Sequence, residues 1–217
     1  MVAALVVASG GVALALEQQP KASSSTPSTQ QTTTQENTST ASSGGGGVSI
    51  YALLSTPTAW GYNYDGELGN GTTTDSNVPV GVSGLNASDV KSVSGGSDFS
   101  LALKNDGTVW AWGFNSRGQL GDGTSSTVTQ SSTPVQVKDS NDPSGYLHAS
   151  AISAGGAHSL ALKSDGTVKA WGNNQDGQLG NGSASPPPCY CEDAPVAVSH
   201  LSGTTSIAAG GAHSLAD

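Results

Sequence analysis

A twelve-residue pattern, written three times in the same order, constrains this chain more than any other feature. Trp60-Gly61-x-Asn63-x-x-Gly66-x-Leu68-Gly69-x-Gly71 recurs from Trp112 to Gly123 and again from Trp171 to Gly182. The tryptophans are 52 and 59 residues apart. Each copy is followed by a Pro-Val pair (Pro79-Val80, Pro134-Val135, Pro195-Val196) and then by a Gly-Gly pair (Gly95-Gly96, Gly155-Gly156, Gly210-Gly211). A period of this length marks one supersecondary unit used repeatedly, each copy burying its apolar face against the next.

Between the Gly-Gly pair and the next tryptophan lie two short apolar runs joined by Asp106-Gly107 or Asp165-Gly166. β-prone runs across Asp-Gly predict a hairpin, because the turn needs positive φ angles. The pattern predicts four short strands per unit. They are residues 80–82, 90–94, 99–104 and 108–112, then 135–137, 149–154, 158–163 and 167–171. No 3.6-residue periodicity survives between the turns. The expected class is all-β: an incomplete β-propeller of about three four-stranded blades, preceded by a disordered stalk.

The W-G-x-N-x-x-G-x-L-G-x-G loop, with a G-G-x-H-S-L-A-L hairpin upstream, resembles the regulator of chromosome condensation repeat. The likeness spans residues 50–217. It implies a seven-bladed propeller serving mainly as a binding scaffold, in a family that includes a nuclear exchange factor for a small GTPase and secreted bacterial propellers that inhibit β-lactamases. The chain departs from that pattern in blade number. It holds two complete units, a degenerate one before Trp60 and a last one cut off at His213–Asp217, where seven at this spacing need about 350–400 residues. It is therefore expected to be a truncated, bacterial secreted-type member, either a fragment of a longer protein or a partial propeller that closes by self-association.

The first 47 residues read differently. Val2 to Leu16 is an uncharged apolar run of 15 residues, too short for a membrane span of about 20 and suited to a signal peptide. Ala13-Leu14-Ala15 offers a cleavage site, although no Lys or Arg precedes Lys21. From Lys21 to Ser43, 14 of 23 residues are Ser or Thr, which cannot bury enough surface to offset ordering entropy. Residues 1–16 are thus expected to be an export signal, 17–47 a disordered linker and 48–217 the repeats. The expected location is secreted or cell-surface, with no membrane span in the mature chain.

Chemistry has few footholds in this sequence. With 7 Lys plus Arg against 16 Asp plus Glu, the net charge is −9, which excludes a nucleic-acid surface built on counterion release. His158 and His213 share a repeat position with Phe99; a phenyl ring neither binds metal nor carries a proton, so the slot is one for packing. The Asn174–Leu179 loop supplies too few ligands for calcium, its asparagine serving turn geometry instead. Cys189 and Cys191, one residue apart in a Pro-rich insertion, make half a zinc site at best and predict a local or redox-labile disulfide in an exported protein. No nucleophile elbow or phosphate loop is present. No enzyme activity, cofactor or metal is expected.

What remains is binding surface. Interfaces concentrate energy in Trp, Tyr and Arg. Tyr62, Tyr64, Phe114 and Arg117, the chain's one arginine, occupy variable positions of the repeat loop. Trp110 aligns with Lys169, a position expected to tolerate solvent. These five residues are the candidate surface for a protein partner of unknown identity. The leading reading is a non-enzymatic binding propeller; the alternatives are a secreted enzyme inhibitor and, against the charge balance, a guanine-nucleotide exchange factor.

Overall fold

The computed structural model describes residues 56–124, 129–185 and 189–217, so the expected export signal and stalk lie outside the described residues. Among the described residues, twelve strands form two four-stranded antiparallel sheets flanked by two two-stranded sheets. The first half-sheet pairs β1 (Thr58–Gly61) with β2 (Ser76–Gly81). β3 (Val90–Gly95), β4 (Phe99–Lys104), β5 (Val109–Phe114) and β6 (Gln130–Gln136) make the first full sheet in simple meander order. β7 (Ala151–Ala154), β8 (His158–Leu162), β9 (Val168–Asn173) and β10 (Cys191–Ala197) make the second. β11 (Ile207–Ala209) and β12 (Ser214–Ala216) pair as the last half-sheet.

The sheets differ from the expected grouping by one strand. The Pro-Val strands β6 and β10 pair with the tryptophan strands β5 and β9 before them, and do not open the following unit. The intervening loop reverses the chain back alongside the tryptophan strand, so the nearest unpaired backbone is that strand's own edge. Proline is tolerated because each one falls where the ladder slips: Pro134 lies between the pairs Ala111↔Val135 and Gly113↔Ser131, and Pro195 between Val196↔Ala170 and Glu192↔Gly172. No ladder donor is lost there.

The Asp-Gly hairpins form, but with a longer turn than two residues. Gly107 N donates to Lys104 O at 3.0 Å and Lys104 N to Thr108 O at 2.9 Å, enclosing a three-residue loop with positive φ at Gly107 alone. That is a type I turn closed by a glycine bulge. Asp106 Oδ1 fixes it by accepting from Thr108 N–H at 3.0 Å and the Thr108 hydroxyl at 2.7 Å, and Asp165 repeats both bonds with Thr167.

The core lies between the sheets. Ala59, Leu68, Val82, Val90, Ala102 and Trp112 fill the space between the first half-sheet and the first full sheet. Phe99, Leu101, Val109, Leu120, Val137 and Trp171 fill the next. Every residue of β8, and all of β4 except Lys104, is buried, so neither strand alternates between buried and exposed positions, and Ser100, His158 and Ser159 are buried polar groups within them. The glycine pairs also have a packing reason. A Cβ on Gly96, Gly155 or Gly210 would strike the ring of Phe99, His158 or His213, three residues on in each case. These three glycines are the true equivalents, one position off the simple Gly-Gly alignment at Gly95-Gly96. Phe99 and His158 are fully buried, as a packing slot requires, whereas His213 is exposed. Among the described residues no helix is long and apolar enough to cross a membrane.

Candidate protein-binding surface

The loop after each tryptophan strand presents the variable side chains, and a buried asparagine organises it. Asn63 Oδ1 accepts from Leu68 N–H at 2.9 Å, while its Nδ2 donates to the carbonyls of Thr72 at 3.1 Å and Thr74 at 3.0 Å. Asn115 and Asn174 repeat the acceptance from Leu120 N–H at 3.1 Å and Leu179 N–H at 3.2 Å. Positive φ falls on the loop glycines and not on these asparagines. The asparagine acts through its amide, which satisfies backbone groups that have no neighbouring strand.

The position just before the loop leucine joins the loop to the following sheet. The side-chain oxygens of Glu67, Gln119 and Gln178 accept from the N–H two residues earlier, each at 3.0 Å. Their main-chain carbonyls face the adjacent sheet. Glu67 O accepts from the Trp112 indole at 2.7 Å and the Ser100 hydroxyl at 2.9 Å. Gln119 O accepts from the Trp171 indole at 2.9 Å and the Ser159 hydroxyl at 3.0 Å. The loops that face solvent are thereby held from behind.

On this frame Tyr62 and Tyr64 come together. Their ring centroids are 6.4 Å apart with planes 21° from parallel, and they are 45% and 69% exposed. Carboxylates lie near Tyr62. Partial desolvation, and then the charges of Glu67, Asp65, Asp75 and Asp98, hold the Tyr62 hydroxyl above its ordinary pKa. The Asp98 main-chain carbonyl accepts from Phe114 N–H at 2.7 Å, which places half-buried Phe114 beside Asp98.

Arg117 and Trp110 are placed otherwise. Arg117 Nη1 donates to Cys189 O at 2.7 Å, tying its loop to the disulfide-bonded Cys189–Cys191 turn of the next sheet. Trp110 stands four residues from Phe114 on β5, about 13 Å along the strand. It is half-buried against the first inter-sheet core, bonded through Nε1 to Thr108 Oγ1 at 3.2 Å, with Lys104 Nζ 5.8 Å from its ring centroid. The solvent expected at its repeat position is also largely shut out: Lys169 there pairs with buried Asp139 at 3.4 Å.

Two features escaped the sequence reading. Glu67 is a fully buried carboxylate in the slot that Gln119 and Gln178 fill elsewhere, and burial pushes its pKa up to about 7. The carboxylate rim was the other, because Asp98 reaches Tyr62 only through folding. The first could have been found by comparing the repeats position by position. Among the described residues no three His, Cys, Asp or Glu side chains are grouped to hold a metal ion.

Known proteins carry the same repeat. The regulator of chromosome condensation (RCC1) repeat matches residues 59–103, 106–162 and 165–216. The chain is 35% identical over 157 residues to the E3 ubiquitin-protein ligase HERC2 of Homo sapiens, covering 71% of this chain and 3% of that protein. It is 36% identical over 125 residues to the ultraviolet-B receptor UVR8 of Arabidopsis thaliana, covering 57% of this chain and 27% of that one. A chain in the crystal structure of Kap60 bound to yeast RCC1 (Prp20) superposes with a TM-score of 0.60 at 24% identity, covering 75% of this chain and 37% of that chain. Prp20p from Saccharomyces cerevisiae gives 0.61 at 19%, covering 74% and 39%. The chain thus spans well under half the length of each of these proteins.

Proposed function

Because this chain belongs to the regulator of chromosome condensation (RCC1) repeat family, we propose that it is a protein-binding propeller scaffold without chemistry of its own, exported or displayed at the cell surface. The observation that carries the binding site is the stacked, exposed Tyr62–Tyr64 pair inside its carboxylate rim. Exposed aromatic faces flanked by Asp65, Asp75 and Asp98 suit a polypeptide that presents Lys or Arg, by cation–π contact and charge complementarity. Phe114 extends this edge. Arg117 serves it indirectly, by holding the neighbouring turn, while Trp110 belongs to the far end of the blade and a separate contact. Export rests on the apolar run Val2–Leu16 and the Ser/Thr-rich segment behind it.

Affinity capture from culture medium tests the site. Tyr62→Ala with Tyr64→Ala is expected to weaken capture about 30-fold or more, as anchor residues do, and capture by the wild type is expected to fall as salt rises. Undiminished capture by the double variant would remove these tyrosines from the site. Cell fractionation tests export, with the chain expected outside the cytoplasm.

A further inference from the structure

The Cys189–Cys191 disulfide closes no contact that the repeat cannot close without it. Asn174 N–H donates to Tyr190 O at 2.7 Å, between the two cysteines. In the preceding loop Asn115 N–H donates to Thr129 O at 2.6 Å, and no cysteine stands there. The junction between loop and next sheet is also held alike. Gly123 N–H donates to Asp193 O at 2.9 Å, as Gly71 N–H does to Ser132 O at 2.9 Å one sheet earlier. Gly118 lies so near Asp193 that a Cβ there would strike its backbone, and Gly66 stands in the same way to Ser132. These contacts account for the turn and its docking, and the disulfide is surplus to both.

Its surroundings favour opening. The bridge spans a single residue, Tyr190, held at φ 54°, a left-handed backbone that is costly for every side chain but glycine's. Breaking the bridge lets Tyr190 relax, so the backbone works toward the dithiol. Cys189, Tyr190 and Cys191 are all half-buried, within reach of a small reagent, and strained or exposed disulfides are the ones that exchange. The two sulfurs also differ. Cys189 packs on the neighbouring loop, its carbonyl accepting from Arg117 Nη1 at 2.7 Å and its Sγ 4.0 Å from Ser116 O. Cys191 opens β10 opposite Asn173 and is followed by Glu192 and Asp193. The guanidinium charge favours a thiolate at Cys189, whereas the two carboxylates disfavour one at Cys191.

We propose that Cys189–Cys191 is a redox-modification site, opened by a low-molecular-weight thiol of the glutathione class, and that opening it frees Arg117 from its clamp on the next sheet. A reagent thiolate attacks Cys191 Sγ, the Sγ–Sγ bond breaks, and Cys189 leaves as a thiolate beside Arg117. A second reagent thiolate attacks the reagent sulfur of the mixed disulfide, and Cys191 leaves. The reagent is oxidised to its disulfide, the chain is reduced to a dithiol, and the two reagent protons end on Cys189 and Cys191. The reagent's disulfide reverses both steps. The reaction is done to the scaffold by its medium, so the chain keeps a purely binding role. What changes is its surface. The only arginine of a chain with net charge −9 passes from a backbone clamp to a free cation, while the Gly123 bond to Asp193 keeps the sheets joined.

The test is equilibration of the folded full chain with mixtures of reduced and oxidised glutathione, the thiols then alkylated and counted by mass. The dithiol is expected to appear across the ordinary glutathione range without denaturant. Tyr190→Gly, which removes the backbone cost, is expected to shift that equilibrium about fivefold or more toward the disulfide. Arg117→Ala is expected to slow opening about threefold, through the poorer leaving thiolate. Because the chain has one arginine, a single side-chain Nε–H resonance reports the clamp. It is expected to move on reduction of the wild type, and to hold the reduced position under both conditions in Cys189→Ser with Cys191→Ser. A bridge that stays closed until denaturant is added, an equilibrium indifferent to Tyr190→Gly, opening no slower in Arg117→Ala, or an arginine resonance unmoved by reduction would each overturn the proposal.

Discussion

At the scale of single residues, two buried titratable groups set opposing pH dependences. Glu67 has its carboxyl pushed up to about 7 from an ordinary 4.5, by burial first and by Asp65 and Asp98 after the opposing backbone hydrogen bonds. The folded chain therefore holds a proton there that the unfolded chain has released. Stability from this group is present below pH 4.5 and is lost as pH rises toward 7, by up to about 3 kcal/mol. Glu67→Gln, which installs the residue of the other two loops, is expected to raise stability at pH 8 and to change it little at pH 4.5, measured by urea midpoints. His158 runs the other way. Burial, then the nearby His213, lowers its pKa from 6.5 to about 4, and its Nε2 bonds the Ser214 hydroxyl at 3.0 Å. Ser214 already donates to Gln178 O, so His158 is the donor of that pair. Stability from the neutral ring is present above pH 6.5 and lost as pH falls toward 4. His158→Phe, the residue of the equivalent slot at Phe99, is expected to cost about 1 kcal/mol at pH 7 through the lost hydrogen bond. It should also flatten the acid side of the curve; an unchanged acid slope would place that titration elsewhere.

At the scale of elements, the loops carry what distinguishes one repeat from another. The Cys189–Cys191 disulfide closes a turn whose middle residue, Tyr190, has φ 54°, and whose Cys189 carbonyl anchors Arg117 of the preceding loop. A cross-link closing about three residues removes little chain entropy, so Cys189→Ser with Cys191→Ser is expected to cost no more than about 2 kcal/mol by chemical denaturation. The Arg117 bond depends on where that carbonyl points, so Arg117→Ala in the reduced background is expected to add little. A full additional loss would show that the turn keeps its shape without the disulfide.

At the scale of the whole molecule, stability concentrates in the middle strands. β4 and β8 are buried on both faces and paired on both edges, while β2, β6 and β10 lie at sheet edges with bulges and prolines. Amide exchange is expected to be slowest in β4 and β8 and fastest in those three edge strands. The chain's repeat architecture, its β class and most strand positions were legible in the sequence because each depends on local chemistry. Asp106-Gly107 makes a turn wherever it lies between β-prone runs, and Asn115 needs only its own loop. Strand grouping was not legible, since Val135 could as well have opened one sheet as closed another; the ladder to Ala111 decided it. The candidate surface was half legible. Tyr62 and Tyr64 are two residues apart on an exposed loop, so their meeting is local. The carboxylate of Asp98 beside Tyr62, and the Cys189 carbonyl beside Arg117, join residues 36 and 72 positions apart. Trp110 and Lys169 share an alignment column and are both shielded, one by the core and the other by Asp139, which only the fold shows. The sequence by itself determined what each repeat is, because turn glycines, Asp-Gly hairpins and apolar strands act within a few residues of themselves. Tertiary structure alone decided which sheet each strand joins and which charges lie near Tyr62, because contacts between sheets depend on how successive repeats are stacked.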